Sequence, residues 1–326
     1  MDRSLIKVRI LMRYIALTAA VLGASSFLSA ADPLLLNLVM PDAQIVAGVN
    51  VAKAKTSPFG QFLLRQMPED GDFSKFINAS GFDPRRDVQE VLMASVTGQH
   101  NGLVAARGQF DAAKIVALAT SDGKHAVTAY NGAQLLISTD ANSHQALALF
   151  DGNFAAAGDV DLVKAAVDRR KFRNAVSPQL AAKIAMYGAA DAWTVSLVPL
   201  SGLGGKAEGP GAGPLNGMLQ GDLLKNVTET SGSVTFNSPI QVTGELVANS
   251  DKDATALGDV VKFLASMIQT GGGEAGASVG TLVQSLNVTT EGKTLKLALA
   301  IPEAQLEALI QSSPKQGNRH KTVEKI

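Results

Sequence analysis

The chain has 326 residues, 29 basic and 29 acidic, with 46% hydrophobic, 18% charged and 5% aromatic residues and no cysteine. That length supports one large domain or two ordinary ones with a sizeable core, and the composition argues against long disorder. Without cysteine there are no disulfides, thiolate nucleophiles, Cys-held metals or lipidated N-terminal cysteine.

Residues 1–31 carry the three parts of a secretory signal. Arg3, Lys7, Arg9 and Arg13 precede an apolar run from Tyr14 to Leu28, and Ser29, Ala30 and Ala31 offer cleavage before Ala31 or Asp32. A membrane-spanning helix needs about 20 apolar residues, and this run of fifteen is broken by Gly23, Ser25 and Ser26. The expectation is a periplasmic or secreted protein; the alternative is an inner-membrane anchor over 14–28. Removing residues 1–31 takes away four cations and one carboxylate, leaving 25 basic and 28 acidic residues and a formal charge of −3. No global field then favours nucleic acid.

From Asp42, the alternation of Ile45, Ala47 and Val49 predicts a strand. Ser57 and Pro58 open a helix as N-cap and first residue, with Phe59, Phe62, Leu63 and Met67 on its buried face. A short helix and a turn at Asp83-Pro84 follow, then strands in EVLMASVTG and GLVAARG and a helix in FDAAKIVALATS. Asn131-Gly132 and Asp151-Gly152-Asn153 mark two β-hairpins. Asp159 caps a helix with the stripe Val160, Val163 and Val167, whose end carries Arg169, Arg170 and Lys171.

A short helix over Leu180 to Met186 leads to Asp191–Leu200, whose Asp-Ala opening and β-branched run repeat the pattern at Asp42. Residues 201–217 hold seven glycines and two prolines and form no regular element. A helix around Met218 to Val227 and two strands in ETSGSVTFNSPIQVTGELVANS come next. A long helix follows with the stripe Leu257, Val260, Val261, Leu264 and Ile268. After a second glycine-rich insert, a hairpin turns at Glu291-Gly292 and a last helix from Glu303 to Gln311 faces inward with Leu306 and Ile310.

The fold class is therefore α+β, with mainly antiparallel sheets flanked by helices, since most strands are joined by too few residues for a parallel crossover. The order Asp-Ala strand, helix, two strands, helix, hairpin, closing helix occurs twice. It divides the chain into a signal peptide (1–31), a first half (32–172), a linker helix (173–190), a second half (191–312) and a flexible basic tail (313–326). Duplication and a single α+β domain both fit this pattern.

Chemistry-bearing residues are sparse. His100, His125, His144 and His320 form no metal-ligand spacing, and GxSxG is absent. Gly205-Lys206 lacks the spacing of a phosphate loop, and Gly202 and Gly204 lack the third glycine of a dinucleotide fingerprint. Asp151, Asp159 and Asp161 cluster near one turn, where capping explains them without a metal. Arg169, Arg170, Lys171 and Arg173 read as a solvated helix end. No catalytic, cofactor-binding or metal residue is assigned, and no cofactor is expected.

The segments PDAQIVAGVNVAKAKTSPFGQFLL and ALALFDGNFAAAGDVDLVKAAVDRR resemble parts of exported bacterial proteins of a domain family of unknown function. In that family a signal peptide precedes a Pro-x-Asp/Ala-x strand, a Ser-Pro-x-Gly helix start and a later valine-rich strand, Gly-Asp and helix. The resemblance implies an envelope location and an α+β fold, and carries over no catalytic residue. The expected role is that of a non-catalytic binding protein whose partner is an envelope protein or a small apolar ligand. Membrane contact is expected only through an uncleaved signal segment or the basic tail. Two alternatives stay open: an envelope hydrolase with a site between the halves, and a carrier of lipid or another apolar ligand.

Overall fold

A computed structural model describes residues 31–67, 71–97, 102–121, 123–172, 176–199, 225–270, 280 and 283–312. The signal segment up to residue 30, residues 200–224 with the first glycine-rich insert and most of the helix expected from Met218, residues 271–279 of the second insert, His100, Arg173, His320 and the tail from 313 lie outside the described residues.

Local signals place most elements where the sequence puts them. Helix α1 (Pro33–Leu36) is capped by Asp32, strand β1 spans Ile45–Val49 and helix α2 spans Val51–Ala54. Ser57 caps α3 (Pro58–Gln66) by accepting from Gly60 N at 2.9 Å. Helices α4 (Gly71–Ser80) and α5 (Pro84–Asp87) lead to β2 (Val88–Ser95), β3 (Gly102–Gly108) and α6 (Ala112–Thr120). The hairpin of β4 (His125–Tyr130) and β5 (Ala133–Ser138) turns through Asn131 and Gly132, both at positive φ (49° and 85°). That is the geometry a two-residue hairpin requires. Strands β6 (Gln145–Phe150) and β7 (Phe154–Asp159) precede α7 (Val160–Arg169), α8 (Pro178–Tyr187) and β8 (Ala192–Ser196). The chain closes with β9 (Val227–Thr235), β10 (Ile240–Ala248), α9 (Asp251–Thr270), β11 (Asn287–Glu291), β12 (Thr294–Ile301) and α10 (Glu303–Ser312).

Two expectations need correction. Val227, expected to end a helix, opens β9 and is fully buried. Its side chain fills the core under α9 together with Leu257 and Leu295. The last hairpin turns one residue later than expected, because Glu291 still pairs with Thr294 and Gly292 takes the positive φ (55°).

The twelve strands among the described residues belong to one antiparallel sheet, in the order β11-β12-β10-β9-β8-β1-β2-β3-β7-β6-β5-β4. Strand β1 lies at the middle, paired with β2 on one side and β8 on the other. Outward from this seam both directions follow one path. Three consecutive strands lie side by side, a helix follows, and a returning hairpin sets its last strand against the third, β7 on β3 and β12 on β10. The first direction holds one further hairpin, β4–β5.

Side chains alternate between the two faces, and each face has its own core. One face buries Val49, Val91 and Leu147 under Phe59, Phe62 and Ile115 from α3 and α6, and α10 joins it at Ile301. The other buries Val46, Leu92 and Leu135 under α1, α7 and α8, through Leu35, Val163 and Leu180. Helix α9 covers Leu295 of β12 on the same face as Ile301. The opposite face of the outer strands exposes Thr289, Lys296, Thr243 and Gln241.

Candidate functional site

Several of the residues weighed from sequence have structural partners among the described residues. His125 Nδ1 lies 3.0 Å from the Ala119 carbonyl, and the His144 carbonyl accepts from Val160 N. Asp159 caps α7, accepting from Asp161 N at 3.1 Å. Asp151 sits in the β6–β7 turn at φ 55°, 3.5 Å from Arg170 Nε. In the basic run, Arg169 and Arg170 are engaged by the fold, while Lys171 is exposed. Arg169 donates to the Leu38 carbonyl, Arg170 donates to the Asn131 carbonyl, and the Arg170 guanidinium lies 5.5 Å from the Phe150 ring centre.

Two charged clusters were missed. The first gathers at the C-terminal end of β1. Glu90 on β2 and Arg107 on β3 are register partners. Arg107 Nε lies 2.9 Å from Asp32 Oδ2, in ion-pair contact but off hydrogen-bond geometry. Glu90 is buried and accepts from Asp32 N at 3.0 Å. Burial pushes its carboxyl above the ordinary range, against that N–H bond and the more distant Arg107 and Lys53. Asp191, fully buried, opens β8 and accepts from Phe236 N at 3.2 Å. Lys53 Nζ from α2 stands 3.2 Å from Asp191 Oδ1 while donating to the Ala189 carbonyl at 2.8 Å. A signal was available: Glu90 and Arg107 stand where Leu92, Ala94, Leu103 and Ala105 continue an apolar face, so each is a charge inside an alternating strand.

The second cluster binds α8 to the outer sheet. Glu245 of β10 accepts from Lys183 Nζ at 2.5 Å and from Tyr187 Oη at 2.9 Å. Gln179 reaches Glu229 of β9 at 2.6 Å. Burial pushes the Glu245 carboxyl up, but bonds from Lys183 and Tyr187 outweigh it and hold the group below its usual value. Burial and the carboxylate neighbour raise the Tyr187 phenol, the reverse of what a nucleophile or base needs.

One cleft of about 400 Å³ is lined by Arg86, Asp87, Gln109, Asp111 and Lys114. Its charges are already paired, Arg86 with Asp87 at 2.7 Å and Lys114 with Asp111 at 3.0 Å.

The remaining feature is a sheet edge. Strand β4 ends the sheet, and Ala126, Val127, Thr128 and Ala129 are exposed. The two-residue turn and the bond from Thr139 N to the Lys124 carbonyl fix which residues face β5. Even-numbered residues bond inward, so the N–H and C=O groups of Val127 and Ala129 point away from the sheet. The strand holds no Lys, Arg, Asp, Glu or Pro, the residues that ordinarily blunt an edge.

No family model matches the chain, and no curated protein matches it. Solved structures of the protein TP0453 are similar. Crystal form III is 13% identical, covers 86% of this chain and 98% of that one, and superposes with a TM-score of 0.50. Crystal form I is 15% identical, with 88% and 99% covered and a TM-score of 0.48. At this identity the likeness is one of fold.

Proposed function

We propose that this protein is exported to the cell envelope and works there by binding an extended segment of another polypeptide, which joins the sheet as a strand beside β4. The observation that carries this reading is the β4 edge: exposed over Ala126–Ala129 among the described residues, and uncharged and free of proline over six residues. Main-chain hydrogen bonds along such an edge supply affinity, and alternate side chains supply specificity. Engagement of both charged clusters in ion pairs between elements supports binding rather than bond-breaking chemistry. The basic, apolar and small-residue run over 1–31 supports export. The shared strand path on the two sides of β1 and β8 supports reading the halves as copies of one unit.

A photo-crosslinking residue at Ala129, with a control at exposed Asp259 on α9, tests the edge in cells producing the full chain. The expected result is an adduct with another polypeptide at 129, absent at 259 and lost in Val127→Pro at an unchanged melting temperature. Proline there removes one outward N–H, which an edge strand tolerates. Equal adducts at both positions, or an adduct insensitive to Val127→Pro, sink the edge reading. Retention of the full-length chain in the cytoplasm sinks export.

A further inference from the structure

The charges at the end of β1 do not balance. Among the described residues, three carboxylates (Asp32, Glu90 and Asp191) face two cations, Lys53 and Arg107, leaving the group one positive charge short. Glu90 is the carboxylate left without a close counter-ion. Lys53 stands against Asp191 and Arg107 Nε against Asp32, while Arg107 Nη2 comes only to 3.9 Å of Glu90. The near partner of Glu90 is the main-chain nitrogen of Asp32, at 3.0 Å. That nitrogen belongs to the Ala31–Asp32 peptide bond, one of the two bonds at which the leader offers cleavage. Small residues stand one and three positions before it, Ala31 and Ser29, whereas the bond before Ala31 has Leu28 three positions back.

We infer that the Ala31–Asp32 bond is hydrolysed on export and that the α-ammonium released on Asp32 is the missing counter-ion of Glu90. The inference rests on the export reading above. Water adds across the amide: the Ala31 carbonyl carbon takes the hydroxyl and leaves as a carboxylate. The Asp32 nitrogen keeps the bonding electron pair and is protonated. A neutral N–H donor beside Glu90 thereby becomes a cation in the same place, and the group becomes neutral. The Asp32 side chain keeps its two existing roles, capping α1 at Leu34 N (2.8 Å) and facing Arg107.

The order of events follows from packing. Ala31 is 3% exposed and lies in the core with Leu35 and Ile184. Its nitrogen is so close to Gly188 at the end of α8 that a Cβ on that glycine would stand 3.2 Å away. A bond enclosed in this way is out of a peptidase's reach, so cutting precedes docking of the segment onto the sheet. The groups facing the new amine are Glu90 from β2, Arg107 from β3, Lys53 from α2 and the Asp32 carboxylate itself. Burial lowers an amine's pKa and the two cations add to that, but a carboxylate in direct hydrogen-bond contact outweighs them.

The test is to produce the full chain in a Gram-negative host, isolate it from the periplasm, and determine its N-terminus by sequencing and intact mass. The α-amine is then titrated by NMR after isotopic labelling. The expected chain begins at Asp32, and its amine titrates about one pH unit above the ordinary range of about 7.7–8.0. Glu90→Gln returns it to that range, and Glu90→Asp, which keeps the charge one methylene further back, gives an intermediate value. A periplasmic protein beginning at Ala31 or any residue other than Asp32 overturns this inference and leaves export standing. So does an amine whose titration ignores both substitutions. A full-length cytoplasmic product overturns both.

Discussion

The indole of Trp193 occupies the space in front of Gly48, its register partner across the seam between β8 and β1. A Cβ on Gly48 would stand 2.5 Å from Trp193 Cε2, so only glycine lets the strands pair with that ring between them. Gly48→Ala must displace the ring or part the strands, and overpacking of this kind costs about 1–3 kcal/mol. Trp193 is the single tryptophan, so its fluorescence reports both the shifted ring and the lower melting temperature. An unchanged emission maximum and unfolding midpoint would show that the seam is looser than described.

Asp191 ties the start of β8 to helix α2 and to the end of β9 with one carboxylate. Asp191→Ala leaves Lys53 without its acid and the Phe236 N–H without its acceptor. Breaking a buried ion pair from one side costs about 3–5 kcal/mol, much of the stability of an ordinary domain. Urea denaturation should place Asp191→Ala lowest, Asp191→Asn between, and the double variant with Lys53→Met above the single Asp191→Ala. A double variant as unstable as the single one would show that the ion pair is not the cause.

The bonds to Glu245 make a pH-dependent contribution of known sign. Its carboxyl is held below its unfolded value, so the stabilisation is complete above the unfolded value of about 4.3 and is lost as pH falls through the folded one. Lys183→Met removes the cation and should flatten that acid-side decline. Melting temperatures of the two proteins between pH 3 and 6, taken as about the range around this transition, test it: curves that stay parallel throughout contradict the assignment.

The cap of α3 is a separate test. Ser57→Ala removes the acceptor of the Gly60 N–H and should cost about 1 kcal/mol. Gly60→Ala should cost more, because its Cβ would clash with the backbone carbonyl of Ala54. Chemical denaturation of both variants gives the ranking, and the reverse order would refute this account of the α2–α3 junction.

Features set by a few neighbouring residues were legible in the sequence. Ser57-Pro58, Asn131-Gly132 and Asp159 each carry their own geometry, and each stands where expected. The α+β class and its antiparallel pairing also follow from short connections. Whatever depends on pairing across the chain was not legible. Asp191 reads as the first residue of a strand, yet its partner Lys53 is far away in sequence and meets it only because β1 pairs with β8. Likewise HAVTAY reads as an ordinary hairpin strand. Its position at the sheet's end is a property of the strand order, which no local pattern encodes.

The central place of β1 has a consequence for how the chain is made. A strand completed at Val49 waits for its second neighbour until Ser196 has appeared, roughly 150 residues later. At about 5–20 residues per second that delay is roughly 7–30 s. Throughout it, a strand that ends up in the middle of the sheet is an open template for any other extended chain. The nascent first half thus passes through an interval with a second open edge, at β1, which pairing with β8 closes in the finished protein, and a chaperone holding residues 45–49 during that interval would protect the yield.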